Sequence, residues 1–348
     1  MRYFYEEANH IHVITAGSLL ETVMDVREIS FPVGRVEYLA IRPCSFLEFL
    51  NGTGHDFDAD LVVNLNVSPV HDRMIKHFND YTLVGGMPAV VSKYAETQDV
   101  LALKRLYDSL FQSYKDDVEK YTKNAGTIKT IREILETGWA QAGSIITLEK
   151  FGGATFSSKE MSLAFQTIQK AMLLELVFPT SSTQMPLIQN YRQRPKLIWL
   201  DTGLVNYGTG IQKEVFSVKD IQDVWRGKIA EQITAQELLT LDDSLLAKRI
   251  FWKRDKHGSE AEIDFVYKYE SLAIPIEVKS GHNAKLKSLH MFMDSAPHNL
   301  AVRVWSNPFS IDDVSTPSGK KIKLINLPFY YVGVLNKILE SNLTLSTL

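Results

Sequence analysis

The sequence EIDFVYKY at residues 262–269, followed by AIPIEVKSG at residues 273–281, decides how the C-terminal part of the chain folds. Both stretches are rich in β-branched and aromatic residues, and only residues 270–272 separate them. We predict two antiparallel strands joined by a short turn. In this pairing Asp264 lies roughly opposite Glu277.

The second strand carries an acid and a base on one surface. The strand period of two places Glu277 and Lys279 on the same face, and Ile276 and Val278 on the other. Two carboxylates that face each other across a strand pair repel unless a cation lies between them. We therefore expect Asp264 and Glu277 to bind Mg²⁺, or Mn²⁺ in its place, because Mg²⁺ favours one or two carboxylates completed by water and phosphate oxygens.

A plainer interpretation of the same residues is available. Charged residues alternate along many solvated strand edges, in which case Glu277 and Lys279 face water and Asp264 is a surface acid. The position of Asp264 across the hairpin favours a site, whether active or degenerate, because paired acids on a ladder require compensation.

A helix that precedes these strands carries a further acid. The sequence predicts a helix over residues 224–239, and its stretch WRGKIAEQITAQELL at residues 225–239 is amphipathic. We expect Glu231 to assist metal binding from this helix, although acids on helices commonly face solvent only. Glu262 shares the strand face of Asp264 and Glu260 falls in the preceding loop, so both rank lower as ligands.

Composition limits the classes of protein that fit. The chain has 348 residues, 45% of them hydrophobic, and suggests two or three domains. A net charge of −3 argues against a generally basic coat, so any contact with DNA must be local. The single Cys44 excludes an internal disulfide and a cysteine-based zinc or redox site. With no signal-peptide pattern and no long apolar run, we expect a cytoplasmic protein without membrane contact.

The N-terminal region combines strand and helix patterns. HVITAGSLL at residues 12–20 is a short apolar run that predicts a buried parallel strand. FPVGRVEYLAI at residues 31–41 predicts a turn and a strand, and PCSFLEFL at residues 43–50 predicts a helix that begins at Pro43.

The middle of the chain is predominantly helical. Residues 56–124 predict several helices, with a break at residues 85–88 (GGMP). Residues 127–178 form a second helical group, in which Ser157 and Glu160 make a capping box. The apolar residues Ile168, Met172 and Leu176 repeat at helical spacing, which predicts a helix that continues to residue 176. A short helix, a turn and a longer helix are typical of a winged-helix-like unit.

Several separated segments together resemble a known family. In chain order they are HVITAGSLL, SFPVGRVEYL, GGMPAVV, PKLIWLDTGLV and IPIEVKSG. In this order they resemble the prokaryotic AAA-type ATPases that carry a C-terminal domain of unknown function numbered 4143. The GxxxE pattern from Gly227 to Glu231, with AEIDFV and IPIEVKSG, also resembles the core of the PD-(D/E)xK nuclease fold.

The resemblance implies an α/β multidomain protein in four parts. Residues 1–55 correspond to a C-terminal remnant of an AAA-type ATPase core, and residues 56–124 to a helical lid. Residues 125–195 correspond to a winged-helix-like domain, and residues 196–348 to a PD-(D/E)xK nuclease-like domain.

The sequence departs from this family in its nucleotide site. No G-x-x-x-x-G-K-[ST] phosphate loop is present, since the nearest Gly227-Lys228 is followed by Ile229. ATP hydrolysis is therefore not expected from this chain alone, and ATP would bind only if an upstream region or a companion chain supplies the loop. Ser18 matches the place of a γ-phosphate sensor and Arg35 that of an arginine finger, and we expect both to be vestigial.

These observations lead to two functional hypotheses. In the first, the chain is a DNA-associated protein with a metal-dependent endonuclease centre, in which Glu231, Asp264 and Glu277 bind the metal. Asp264, Glu277 and Lys279 are its catalytic residues, and Lys279 orients the attacking water or stabilises charge at the phosphate. In the second, the nuclease fold is degenerate and the chain is a non-catalytic module that binds DNA or a protein.

Overall fold

The computed structural model gives a mixed α/β fold with twelve α-helices and three small sheets among its described residues. None of the helices it describes has the length and apolarity needed to cross a membrane. The described residues are 2–15, 34–149, 151–153, 156–211, 223–242, 244, 247–255, 261–280 and 286–344.

The described N-terminal residues contain one short helix, α1 (Arg2–Glu6), and no strand. Residues 12–15 and 36–42 have no regular structure, so the strands predicted there are wrong for these residues. Ile14 is 94% exposed and Ile41 is 79% exposed, whereas a parallel strand requires burial on both faces. Residues 16–20 and 31–33 of the two predicted segments lie outside the described residues.

The first helical group packs around aromatic side chains. Helix α2 (Phe46–Gly52) begins after the capping box of Ser45 and Glu48, so the predicted start at Pro43 is wrong. The Ser45 hydroxyl accepts a hydrogen bond from the Glu48 backbone N–H, and this fixes the first turn. The rings of Phe46, Phe49, Phe78 and Tyr81 pack in the core through edge-on and tilted contacts.

Four further helices confirm the helical structure predicted for residues 56–124. They are α3 (Asp56–Val63), α4 (His71–Val84), α5 (Pro88–Thr97) and α6 (Lys104–Tyr121). The predicted break is also confirmed, because α4 ends at Val84 and α5 begins at Pro88.

The next group combines helices with a small antiparallel sheet. Its elements are α7 (Ala125–Thr137), β1 (Ser144–Ile145), α8 (Ser158–Lys170), β2 (Leu174–Val177), β3 (Pro179–Thr180) and β4 (Lys196–Trp199). The strands pair in the order β1-β4-β2. The predicted capping box of Ser157 and Glu160 is confirmed.

Helix α8 is shorter than its apolar spacing predicts. It ends at Lys170, and Met172 adopts a left-handed backbone with φ 60°. The Leu173 backbone N–H still donates to Ile168, closing the helix end, and the chain then enters β2. Leu176 is therefore buried on a strand. The helical spacing of the apolar residues does not distinguish this strand from a continuation of the helix.

The C-terminal part contains most of the strands. Its elements are α9 (Thr202–Gly208), α10 (Asp223–Leu239), β5 (Phe251–Lys253), β6 (Glu262–Ile263), β7 (Phe265–Tyr269), β8 (Leu272–Val278), α11 (Lys287–Ser295), β9 (Leu300–Trp305), β10 (Ser310–Ser315), β11 (Lys321–Pro328) and α12 (Leu335–Thr344).

A five-stranded sheet with the order β10-β11-β9-β8-β7 forms the centre of this part. β7 and β8 are antiparallel, which confirms the predicted hairpin. β8 pairs in parallel with β9, and β9 in parallel with β11, with α11 as the crossover between β8 and β9. Ile276 and Val302 pack toward the large core, whereas Ala273 and Ala301 pack against α11.

Helix α10 is buried along most of its length and joins the two halves of the fold. The side-chain amide of Gln232 donates to the Trp199 carbonyl at 2.8 Å and accepts from the Trp199 N–H at 2.9 Å. Gln236 accepts from the Thr202 N–H at 2.9 Å. Gln232 and Gln236 therefore satisfy backbone groups of β4 and α9, whereas polar residues of an amphipathic helix face water.

Candidate acid and lysine site

The hairpin register brings the two predicted acids next to each other. The ladder ends at the pair of Phe265 and Ile276, and Asp264 and Glu277 are the residues that adjoin this pair on the two segments. The Asp264 carboxylate accepts a hydrogen bond from the Val278 backbone N–H at 2.8 Å. This contact fixes Asp264 against β8, beside Glu277.

Glu277 is the most constrained acid of the site. The residue is 6% exposed, and its Oε1 lies 2.5 Å from the Lys279 Nζ. Its second oxygen, Oε2, is buried without a hydrogen-bond partner. Burial and the charge of Asp264 raise the pKa of Glu277, Lys279 opposes both, and together these effects give a pKa of about 7. The carboxylate therefore favours a proton or a cation at Oε2.

A residue that the sequence did not single out occupies the centre of the remaining acids. Lys196, the first residue of β4, is 1% exposed. Its Nζ lies 2.6 Å from Glu231 Oε2, 3.2 Å from Glu262 Oε1 and 3.6 Å from Asp264 Oδ1. These four residues form what we call the lysine-centred cluster.

Electrostatics explain how this lysine remains charged. Burial alone lowers the pKa of Lys196, but the carboxylates of Glu231, Asp264 and Glu262 outweigh burial and raise that pKa. Burial and the charge of Asp264 raise the pKa of Glu231, Lys196 opposes the rise, and together these effects give a pKa of about 8. In this cluster one ammonium group contacts and partly neutralises three carboxylates.

The complete site carries more negative than positive charge. Glu231, Glu262, Asp264 and Glu277 supply four carboxylates, whereas Lys196 and Lys279 supply two ammonium groups. With every group ionised the sum is −2. A bound cation or bound protons would balance that excess, since buried charges require compensation.

The site lies near the carboxyl ends of parallel strands. Glu277 pairs with Arg303 on β9, and Arg303 pairs with Asn326 on β11. The Arg303 Nε donates to Asn326 Oδ1 at 2.8 Å, and its guanidinium lies 4.0 Å from the centre of the Trp305 ring. Ligands commonly bind at this end of parallel strands in α/β folds.

Not all the predicted site residues come together. Glu231 does reach the site from α10, where it contacts Lys196. Arg35 forms an ion pair with Glu6 at 2.6 Å. Ser18, proposed for the vestigial nucleotide site, lies outside the described residues, as does Glu260.

The fit of the site to a metal ion is mixed. Within the part of the chain that the structure describes, no group of three or more His, Cys, Asp or Glu side chains is placed to hold a metal. Three of the acids surround Lys196 instead. The orphaned Oε2 of Glu277 beside Asp264 fits a cation held by two carboxylates and completed by water or phosphate oxygens.

Lys196 could have been found from one feature of its sequence. It begins the stretch KLIWL, whose other residues are apolar, and lysine is seldom buried unless it is paired. The identity of its partners was not available, because Glu231 and Asp264 are distant in the sequence and reach Lys196 only through the fold.

Two family models match the chain. Residues 75–215 match a domain of unknown function, DUF8612, and residues 226–330 match a domain of unknown function, DUF4143. The second match confirms the predicted domain numbered 4143. No curated protein and no solved structure matches the chain. Lys196 falls in the first matched segment and its acidic partners in the second, so both segments build the lysine-centred cluster.

Proposed function

We propose that the chain is a DNA-associated protein whose site at Asp264, Glu277 and Lys279 hydrolyses phosphodiester bonds with Mg²⁺ or Mn²⁺. The observation that carries the proposal is the buried, unpartnered Oε2 of Glu277 opposite Asp264. A buried carboxylate with an unused oxygen is costly unless it binds something. The excess of negative charge at the site points to a cation.

Each residue has a distinct part in this proposal. Asp264 and Glu277 would hold the metal, which when bound polarises the phosphate and activates water. Lys279 now pairs with Glu277, and metal binding by Glu277 would free its ammonium to stabilise charge at the phosphate. Glu231 would assist by balancing charge through Lys196.

The nucleotide proposal is conditional on a second component. We propose that this chain alone does not hydrolyse ATP, since its sequence contains no phosphate loop. ATP binding would require a loop supplied by an upstream region or a companion chain. Ser18 and Arg35 are the residues proposed to face such a nucleotide.

A second candidate function has its own observation. In a non-catalytic module that binds DNA or protein, Lys196 takes the place of the metal and neutralises the acids permanently. The contacts of its Nζ with three carboxylates favour this alternative. The two functions differ in whether the site responds to divalent metal.

Cleavage of plasmid DNA with Mn²⁺ tests the proposal. We expect nicking by the wild-type chain, loss of nicking in Asp264→Asn and Glu277→Gln, and wild-type nicking in Asp313→Asn. Asp313 is an exposed acid on β10 and serves as the matched control. Absence of nicking in the wild type together with absence of Mn²⁺ binding would reject the enzyme and leave the non-catalytic module.

A further inference from the structure

A groove unrelated to the acid site lies beside helix α8. It has a volume of about 440 Å³. One wall is formed by Ser162, Gln166 and Gln169 of α8, which are spaced at four and three residues and so share one helix face. This wall is polar and uncharged.

Another part of the groove lining is basic. It includes Arg192 and Arg194, and both residues are exposed. Neither guanidinium has an ion-pair partner among the described residues, and none of the described residues that line the groove is acidic. By contrast, the nearby Arg249 is paired with Glu175 at 2.6 Å. The groove thus presents positive charge that no ion pair among the described residues neutralises.

An aromatic ring stands next to this charge. Tyr191 is 63% exposed, and its ring packs at 4.8 Å against that of Phe178, which also lines the groove. An exposed tyrosine ring can stack on a nucleobase, and arginines can bind the phosphates on either side. An acidic peptide would use the arginines but would gain no stacking from Tyr191.

We propose that this groove binds a single strand of nucleic acid, with phosphates on Arg192 and Arg194 and a base stacked on Tyr191. Binding at the groove does not depend on the proposed nuclease function.

Fluorescence anisotropy with a labelled single-stranded DNA oligonucleotide in EDTA tests the groove while divalent metal is absent. We expect Arg192→Gln with Arg194→Gln to weaken binding at least tenfold. The dependence of log affinity on log salt should become shallower by about 1.4, since each single-strand phosphate contact contributes about 0.7. Tyr191→Ala should weaken binding about tenfold, as expected for one stacked base.

The matched control removes the same charge elsewhere. Arg105→Gln with Lys123→Gln alters two exposed cations that do not line the groove, and should leave affinity unchanged. Thermal melting of each variant verifies folding. Three results would overturn the proposed binding site. They are a wild type that does not bind the oligonucleotide, an equal loss of affinity in the two double variants, and competition by polyglutamate as strong as that by unlabelled single-stranded DNA. Retained binding without cleavage would count against the proposed function only.

Discussion

Helix α10 carries two buried acidic regions that are neutralised in different ways. At Glu231, toward the start of the helix, an ammonium supplies the compensation, and three acids share it. At Glu237, nearer the end, neutral donors supply it: the Tyr81 hydroxyl at 2.7 Å and the Phe46 N–H at 3.1 Å. The region at Glu231 therefore carries excess negative charge, whereas the acid at Glu237 is satisfied by hydrogen bonds.

The second region extends to Asp201, which caps α9. Its oxygens accept from the Gly86 N–H at 2.6 Å and the Leu204 N–H at 2.9 Å. Burial raises the pKa of Asp201 to about 6 and that of Glu237 to about 7. We call Asp201 and Glu237 the hydrogen-bonded acid pair, and we assign it a structural role because backbone donors hold its members in place.

The largest effect should come from removing the central lysine. Lys196→Met leaves Glu231, Glu262 and Asp264 without their shared cation, and we expect a loss of about 3–5 kcal/mol in the free energy of unfolding at pH 8.5. This loss of stability should be smaller at pH 5.5, because protonation of the acids relieves their mutual repulsion. Urea unfolding at both pH values measures it.

Lys321→Met is the matched control, since Lys321 is exposed on β11. It should change stability little. A Lys196→Met variant as stable as this control would show that the acids do not depend on Lys196. Partial recovery of stability with Mn²⁺ in Lys196→Met would sharpen the comparison, because only a charge-excess region should respond.

An intermediate effect is expected in the hydrogen-bonded acid pair. The pKa of Glu237 rises from its ordinary value of 4.5 to about 7 on folding, with burial as the main cause. The stability it contributes is present below pH 4.5 and is lost as the pH rises through 7. Glu237→Gln resembles the protonated acid, so it should be more stable than wild type by about 2 kcal/mol at pH 8.5.

The same Glu237→Gln variant should show no gain in the free energy of unfolding at pH 4.5. Mn²⁺ should change its stability no more than it changes the stability of the wild type. Urea unfolding across this pH range is the measurement. A gain that is independent of pH would mean that the carboxyl of Glu237 does not take up a proton on folding, and the distinction between the two regions would weaken.

The smallest effect concerns Glu277. Glu277→Gln removes a buried carboxylate whose Oε2 has no partner, so without metal we expect a gain of about 1 kcal/mol at pH 8.5. Differential scanning fluorimetry in EDTA measures it, with Asp313→Asn as the control. A loss of more than this amount would show that the ion pair with Lys279 matters more than the repulsion at Asp264.

The local features of the site could be predicted from the sequence. Alternating apolar residues and a short turn predict the β7 and β8 hairpin, and the structure confirms this antiparallel pairing up to Phe265 opposite Ile276. Strand periodicity is a local property, so adjacent residues determine it. The helix over residues 224–239 is confirmed to within one residue at its start for the same reason.

The distant features could not be predicted. Lys196 contacts Glu231 across 35 positions of sequence, and no periodic pattern links them. The sequence predicts that α10 is amphipathic, whereas its Gln232 is buried and binds the backbone of Trp199. The apolar run at residues 12–15 failed as a strand because apolar residues do not by themselves provide a pairing partner.

Proton release on metal binding tests the central claim most directly. Isothermal titration of Mn²⁺ at pH 7 in buffers of different ionisation enthalpy gives the number of protons released per metal bound. Because burial raises the pKa of Glu277 to about 7 and that of Glu231 to about 8, we expect about one proton released per Mn²⁺, with tighter binding at pH 8.5 than at pH 6. Absence of binding, or binding that releases no proton and persists in Asp264→Asn, would contradict the account.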